Sequence, residues 1–255
     1  MKTNLKMIVM SCLLVATFSN FAQATLTHHD CKYDGTVVVR DSALSSSYYV
    51  DGTKSTDLRV EKRSSGYYNI TTGALNLDIR NKSNPGSASS SWYNFQAYCI
   101  EKTQSIKFGH NPSDTYGYGY DVVDLSGYNG ISNSEVSFLG KLWANAFDIS
   151  KTGAVQAAAF QALVWEMVYD SSNDLDDDNF DLYRNNTFTK DVYELAKDWT
   201  KNITDGIWTD SVELFVLKSD CSQDFITTVP EPSSMALALI GGMMLLGRGR
   251  RQRVA

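Results

Sequence analysis

The sequence predicts an α+β fold: a β-sandwich or barrel with a helical portion inserted before its last strand. Three observations predict it. Residues 36–124 form a series of short stretches rich in Val, Tyr, Ile and Thr, with Gly, Ser and Asn between them. From Ser132 onward the apolar residues recur at three- and four-residue steps instead. A single stretch after residue 210 then returns to strand character.

The strand candidates, in order, are TVVVR (36–40), SSYYV (46–50), DLRVEK (57–62), GYYNITT (66–72) and ALNLDIR (74–80). KSNPGSASSS (82–91) reads as a loop. WYNFQAYCI (92–100) is the strongest strand, with Trp92, Phe95, Ala97 and Cys99 near one phase. SIKF (105–108) and YGYDVVD (118–124) follow. Ser132 and Glu135 have capping-box spacing, and Val136, Leu139, Trp143 and Phe147 form the stripe of a first helix. A second helix is expected from about Lys151 to Tyr169. SSNDLDDDNFD (171–181) reads as an acidic loop, and a third helix from about Thr189 to Asn202 carries Val192, Leu195, Ala196 and Trp199. SVELFVLKS (211–219) is the returning strand, which brings Cys221 back toward the sheet. With no internal repeat and no long linker before Val229, residues 25–228 are expected to form one domain.

Both ends carry addressing signals. Met1 to Ala24 reads as a secretory signal peptide: Lys2 and Lys6 give the positive end, IVMSCLLVATF the apolar run, and Ala22-Gln23-Ala24 the cleavage site. The apolar run is shorter than the ~20 residues of a membrane span. At the other end stand Val229-Pro230-Glu231-Pro232, an apolar segment from Met235 to Leu246, and Arg248, Arg250, Arg251 and Arg253. That order places a short transmembrane segment before a basic, cytoplasmic end. The tripartite ending resembles the PEP-CTERM sorting signal of Gram-negative bacteria. The resemblance implies transient insertion in the inner membrane, processing by an exosortase near the Pro-Glu-Pro, and delivery to the cell surface or extracellular matrix.

Without the two signals the chain keeps 17 basic and 28 acidic residues, about −11. An acidic surface repels phosphate backbones and excludes nucleic acid as a partner. The acidic loop mimics the first EF-hand positions with Asp174, Asp176 and Asp178. Asn179 stands where the loop needs Gly, and Asn185 where it needs a bidentate Glu, so no metal site is expected there. No cofactor motif is present. His28, His29 and His110 are the only candidate bases for a cysteine protease, and none has a recognisable context.

Two residues stand out. Cys12 leaves with the signal peptide, so the exported chain keeps Cys31, Cys99 and Cys221, an odd number in an oxidising compartment. Cys31 and Cys221 begin and end the folded region. We expect them to pair, closing a long loop that contributes roughly 2–5 kcal/mol. Cys99 is left over. On the second helix Ala154, Ala158, Gln161, Trp165 and Val168 share one face, apolar except for Gln161. A carboxamide turned toward a core costs roughly 1–3 kcal/mol if unpartnered. The two residues are complementary: a thiolate is a nucleophile, and a glutamine side chain is an acyl group with ammonia as its leaving group. Held together and shielded from water, they form a thioester.

At these residues the chain resembles the thioester domains of bacterial surface adhesins. Those carry an aromatic or aliphatic residue, Cys, an apolar residue and then an acidic one, as in Tyr98-Cys99-Ile100-Glu101. Their second motif is an apolar residue, Gln, two variable residues, an apolar residue and Trp, as in Phe160-Gln161-Ala162-Leu163-Val164-Trp165. The resemblance covers residues 30–222. It implies a strand-borne Cys99 and a helix-borne Gln161 joined as an internal thioester and shielded by Tyr98, Phe160, Val164 and Trp165. It also implies covalent capture of an amine, most naturally a lysine of a surface or matrix protein, through an intermolecular isopeptide bond. Such a protein adheres in a single turnover and is not an enzyme. Glu101, Tyr98 and His110 are the candidates for proton transfer. The alternative function is a non-covalent matrix- or carbohydrate-binding module with Tyr116, Tyr118 and Tyr120 as stacking residues.

Overall fold

The computed structural model describes residues 37–41, 49–62, 66–81, 92–101, 118–170, 174–176, 180–220 and 222–228, with Gln104 and Ile106. The expected signal peptide and sorting signal, with Cys31, Cys221, His28, His29, His110, Tyr116, Asp178 and Asn179, lie outside them. All described residues belong to one unit, Cys31–Ala255.

Among the described residues eight strands form: β1 (Val37–Asp41), β2 (Ser55–Lys62), β3 (Gly66–Thr72), β4 (Leu75–Asn81), β5 (Tyr93–Cys99), β6 (Tyr118–Asp124), β7 (Phe215–Lys218) and β8 (Phe225–Thr227). Three helices stand between β6 and β7: α1 (Asn133–Ser150), α2 (Ala154–Tyr169) and α3 (Thr187–Thr204). Six strands close into an antiparallel barrel in the order β1-β4-β5-β8-β7-β6, and β2 pairs with β3 in a separate hairpin. Of the two expected architectures, sandwich or barrel, the chain adopts the barrel, with the helical portion inserted before its last two strands. Closure leaves the six barrel strands without an open edge.

The alternation of strand side chains makes two cores. Val39, Leu75, Leu77, Phe95, Ala97, Tyr120, Leu217 and Phe225 form the core that fills the barrel. The opposite phase of β5, β7 and β8, with Tyr98, Val216 and Ile226, packs instead with the helices and with Leu58 and Val60 of the hairpin. Cys99 is partly buried against both cores.

The capping box starts α1 as its spacing predicts: Glu135 N–H donates to Ser132 Oγ, and Glu135 Oε2 accepts the Ser132 N–H. Three expectations are corrected. The returning strand is shorter than 211–219, because Ser211 and Val212 lie against α1 instead. There Val212 N–H donates to Gly140 O at 3.3 Å. A Cβ on Gly140 would lie 2.5 Å from Ser211 Oγ and 2.8 Å from Val212 O, so only glycine lets the segments meet. Second, β8 follows β7 where no further strand was expected, and all three of its residues are buried. Third, α2 is not a helix with one apolar face. Every residue from Ala157 to Met167 is buried, Gln161 and Glu166 included, because the helix runs through the core between α1, α3 and the hairpin.

Candidate functional site

Cys99 is the last residue of β5, and the two edges of the strand are completed there in different ways. On one edge β8 pairs Tyr98 with Ile226 and Cys99 with Phe225, and Ile100 N–H donates to Asp224 O at 3.0 Å. In an antiparallel ladder adjacent residues aim their backbone groups at opposite edges. Ile100 therefore bonds to the β8 side, and Cys99 presents its N–H and C=O to the β4 side. β4 begins only at Leu75, opposite Ala97, so no strand reaches Cys99.

Gln161 takes that place. Its Oε1 accepts the Cys99 N–H at 3.1 Å, and its Nε2 donates to Cys99 O at 2.6 Å. One carboxamide thus makes the two hydrogen bonds that another residue of β4 would have made. Gln161 is 1% exposed, and both ends of its amide are partnered, which removes the desolvation cost of placing it there. α2 brings a carboxamide, and β5 a thiol-bearing residue, to one point across 62 residues of sequence.

Cys99 packs against both hydrophobic cores and lies beside Glu101. Burial, and then the nearby Glu101 carboxylate, push its thiol up to about 12. Cys99 is half-buried and, among the described residues, free. Glu101 lies two residues on. Burial first, and then the charge of Asp224, push its carboxyl up to about 7, although the backbone of Asp224 and the charge of Lys218 oppose the shift. Its Oε1 is buried and has no hydrogen-bond partner among the described residues. Gln223 Nε2 donates to Glu101 O at 2.5 Å and holds the backbone there.

Asp224, just before β8, is buried and pushed upward chiefly by that burial. Its Oδ1 accepts the Ser219 N–H at 2.7 Å, and its Oδ2 accepts the Tyr128 hydroxyl at 3.0 Å. Tyr128 and Tyr120 are both raised above the ordinary phenol range, mainly by burial, with Asp224 adding in each case. Tyr120 belongs to the barrel core, and its hydroxyl donates to Gln223 O at 3.3 Å. Sequence reasoning named Glu101 but missed Asp224, Tyr128 and Gln223. Asp224 and Gln223 belong to the short segment that was not expected to be structured.

Tyr98, one residue before Cys99, occupies the other phase of the strand. Its ring lies 4.5 Å from Phe160 and 6.3 Å from both Trp143 and Phe147, and its hydroxyl donates to Ser150 Oγ at 2.8 Å. Phe160 and Val164 are fully buried, and Trp165 nearly so, its ring 6.3 Å from Phe180 and its Nε1 without a hydrogen-bond partner among the described residues. Tyr118 is half-buried at the barrel. In the acidic loop Asp176 accepts the Tyr193 hydroxyl and pairs with Arg184, each at 2.8 Å. Among the described residues no three acidic, His or Cys side chains cluster to hold a metal ion, and no helix is long and apolar enough to cross a membrane.

No protein-family model matches the chain, and neither a curated protein nor a solved structure matches it.

Proposed function

We propose that Cys99 and Gln161 form an internal thioester, and that the protein is an exported surface or matrix protein that uses it to capture an amine. The observation that carries this reading is the pairing of the Gln161 carboxamide with the backbone of Cys99 itself. The Cys99 N–H donates to Oε1, the oxygen that becomes negative when sulfur adds to the carbonyl carbon. The carbonyl is held against the residue that carries the thiol, so the remaining freedom is the Cys99 side-chain torsion.

The chemistry is an exchange of acyl partners. The Cys99 thiol loses its proton, sulfur adds to Cδ of Gln161, and the C–N bond breaks with loss of ammonia. In the second stage an amine, expected to be a lysine of a partner protein, adds to the same carbon and the C–S bond breaks. The products are an isopeptide bond and a free Cys99 thiol. Nothing resets the site, so each molecule acts once. The signal peptide and the PEP-CTERM-like ending support export to the surface or matrix of a Gram-negative cell. Tyr98, Phe160, Val164 and Trp165 contribute the buried setting in which such a bond resists hydrolysis.

The competing reading makes the Gln161 bonds purely structural and the protein a non-covalent binding module. Intact mass separates the two. The protein is expected to be lighter than its sequence by one ammonia, to gain one methylamine at Gln161, and only then to expose an alkylatable thiol at Cys99. A full mass with Cys99 alkylated from the start sinks the thioester.

A further inference from the structure

We propose that Glu101 is the catalytic proton carrier of this site, with Asp224 as the residue that positions and tunes it. The inference rests on the thioester reading and names the machinery of that bond. Three placements carry it. Glu101 is two residues beyond Cys99, and β8-side pairing continues through Ile100, so the chain stays extended and both side chains take the same side. The Glu101 carboxylate lies close enough to Asp224 to interact with its backbone and its charge, while Oε1 is buried and has no hydrogen-bond partner among the described residues. A buried acceptor without a donor is costly and calls for an occupant. Asp224 is itself fixed through both carboxylate oxygens, to Ser219 N–H and Tyr128 Oη.

Cys99 needs such a partner. With its thiol pushed up to about 12, almost none of it is ionised at neutral pH. The Glu101 carboxylate takes the thiol proton as sulfur adds to Cδ, and the oxyanion at Oε1 keeps the Cys99 N–H. Glu101 then gives that proton to the Gln161 nitrogen, the C–N bond breaks, ammonia departs, and Glu101 is again a carboxylate. In capture, Glu101 takes a proton from the incoming amine and returns it to the departing Cys99 sulfur. The numbers of protons and electrons balance in both directions with no other reactant.

A carboxyl ordinarily ionised well below neutrality is a weak base, and burial corrects this, with Asp224 adding to it. Burial, and then the like charge of Asp224, bring Glu101 up to about 7, where a proton can both enter and leave. The charged and titratable groups that act on this pair are Lys218, Asp220, Tyr128, Tyr120 and the Cys99 thiol. Lys218 opposes the shift of both carboxyls, and Asp220 adds to that of Asp224.

The test uses the full chain. Methylamine uptake is followed by intact mass from pH 5 to 9 for the wild type, Glu101→Gln, Glu101→Asp and Asp224→Asn, with circular dichroism as the check on folding. Glu101→Gln is expected to react on the order of a hundredfold more slowly, with Glu101→Asp recovering part of the rate. The ratio of wild-type to Glu101→Gln rates cancels the ionisation of methylamine, and it should rise through neutral pH. In Asp224→Asn, with the like charge gone, the corresponding rise should move to lower pH. Equal rates for wild type and Glu101→Gln overturn the role of Glu101 while leaving the thioester intact. A wild type with no missing ammonia and no methylamine adduct overturns the thioester itself. If Glu101→Gln does not fold, Asp224→Asn decides: an unmoved profile rejects the proposal.

Discussion

Tyr98 and Cys99 are neighbours on one strand, yet the regions they enter are built on different rules. Tyr98 points into the helical layer, where Trp143, Phe147 and Phe160 surround its ring and one hydroxyl, that of Ser150, meets its own. Cys99 ends the strand at the barrel, among Gln161, Glu101, Asp224, Tyr120 and Tyr128. The surroundings of the Tyr98 ring gain stability from apolar area, with the Tyr98–Ser150 hydrogen bond beside them. The second region gathers ionisable groups that burial displaces from their ordinary ranges. The contrast teaches that β5 separates the aromatic support of the helices from the ionisable cluster by strand parity: shifting the register by one residue would exchange Tyr98 and Cys99.

The largest predicted effect lies on the Tyr98 side. Tyr98→Ala removes a fully buried ring from three aromatic neighbours and leaves Ser150 without that donor. Urea denaturation is expected to show a loss of about 3–5 kcal/mol. A loss under about 1 kcal/mol would mean that the helical layer repacks freely, and the contrast between the two regions would fail.

The next effect lies on the Cys99 side and separates backbone from side chain. Both Gln161 bonds go to the backbone of Cys99, so Cys99→Ala should keep them and fold normally, at a cost of about 1 kcal/mol for the small apolar contact. Adding Gln161→Ala in that background leaves a strand-end N–H and C=O without partners. A further loss of about 2 kcal/mol is expected. The alanine background matters, because no covalent bond can form in either variant. If the double variant is as stable as Cys99→Ala, the carboxamide does not substitute for a strand.

The same contrast explains what could be read from the sequence. The aromatic and aliphatic stripes of the helices were legible because burial imposes a period. So were the phase of β5 and the capping box at Ser132. Gln161 was legible because it interrupts an apolar helix. Its partner atoms were not, since backbone groups left by a short β4 carry no residue signature. β8 was missed because three buried residues are too few for a period. With it went Asp224, a single acidic residue whose meaning comes only from the strand that lifts it beside Glu101. Ser211 and Val212 read as strand by composition, but their contact with Gly140 on α1 overrides that preference.

The smallest effect is a pH dependence confined to the Cys99 side. Glu101 has a higher pKa in the folded protein than a glutamate has in the unfolded chain, because burial and Asp224 disfavour its charge. Between about pH 4.5 and about 7 the folded state holds a proton that the unfolded state has lost. Its contribution is therefore fully present below that window and is lost as pH rises through it. Asp224 is also raised, so it acts with the same sign. Because Glu101 is only partly buried, solvent screening reduces the contribution to on the order of 1 kcal/mol. Other carboxylates add their own slopes, so the difference between the unfolding free energies of wild type and Glu101→Gln is the useful quantity. It should decline in favour of the variant from pH 4.5 to 7 and stay level above. A flat difference would place the Glu101 carboxylate in water and separate it from Cys99. The Tyr98 side offers the control: the wild-type minus Tyr98→Ala difference should be large and unchanged over the same range, because no group lost there titrates within it.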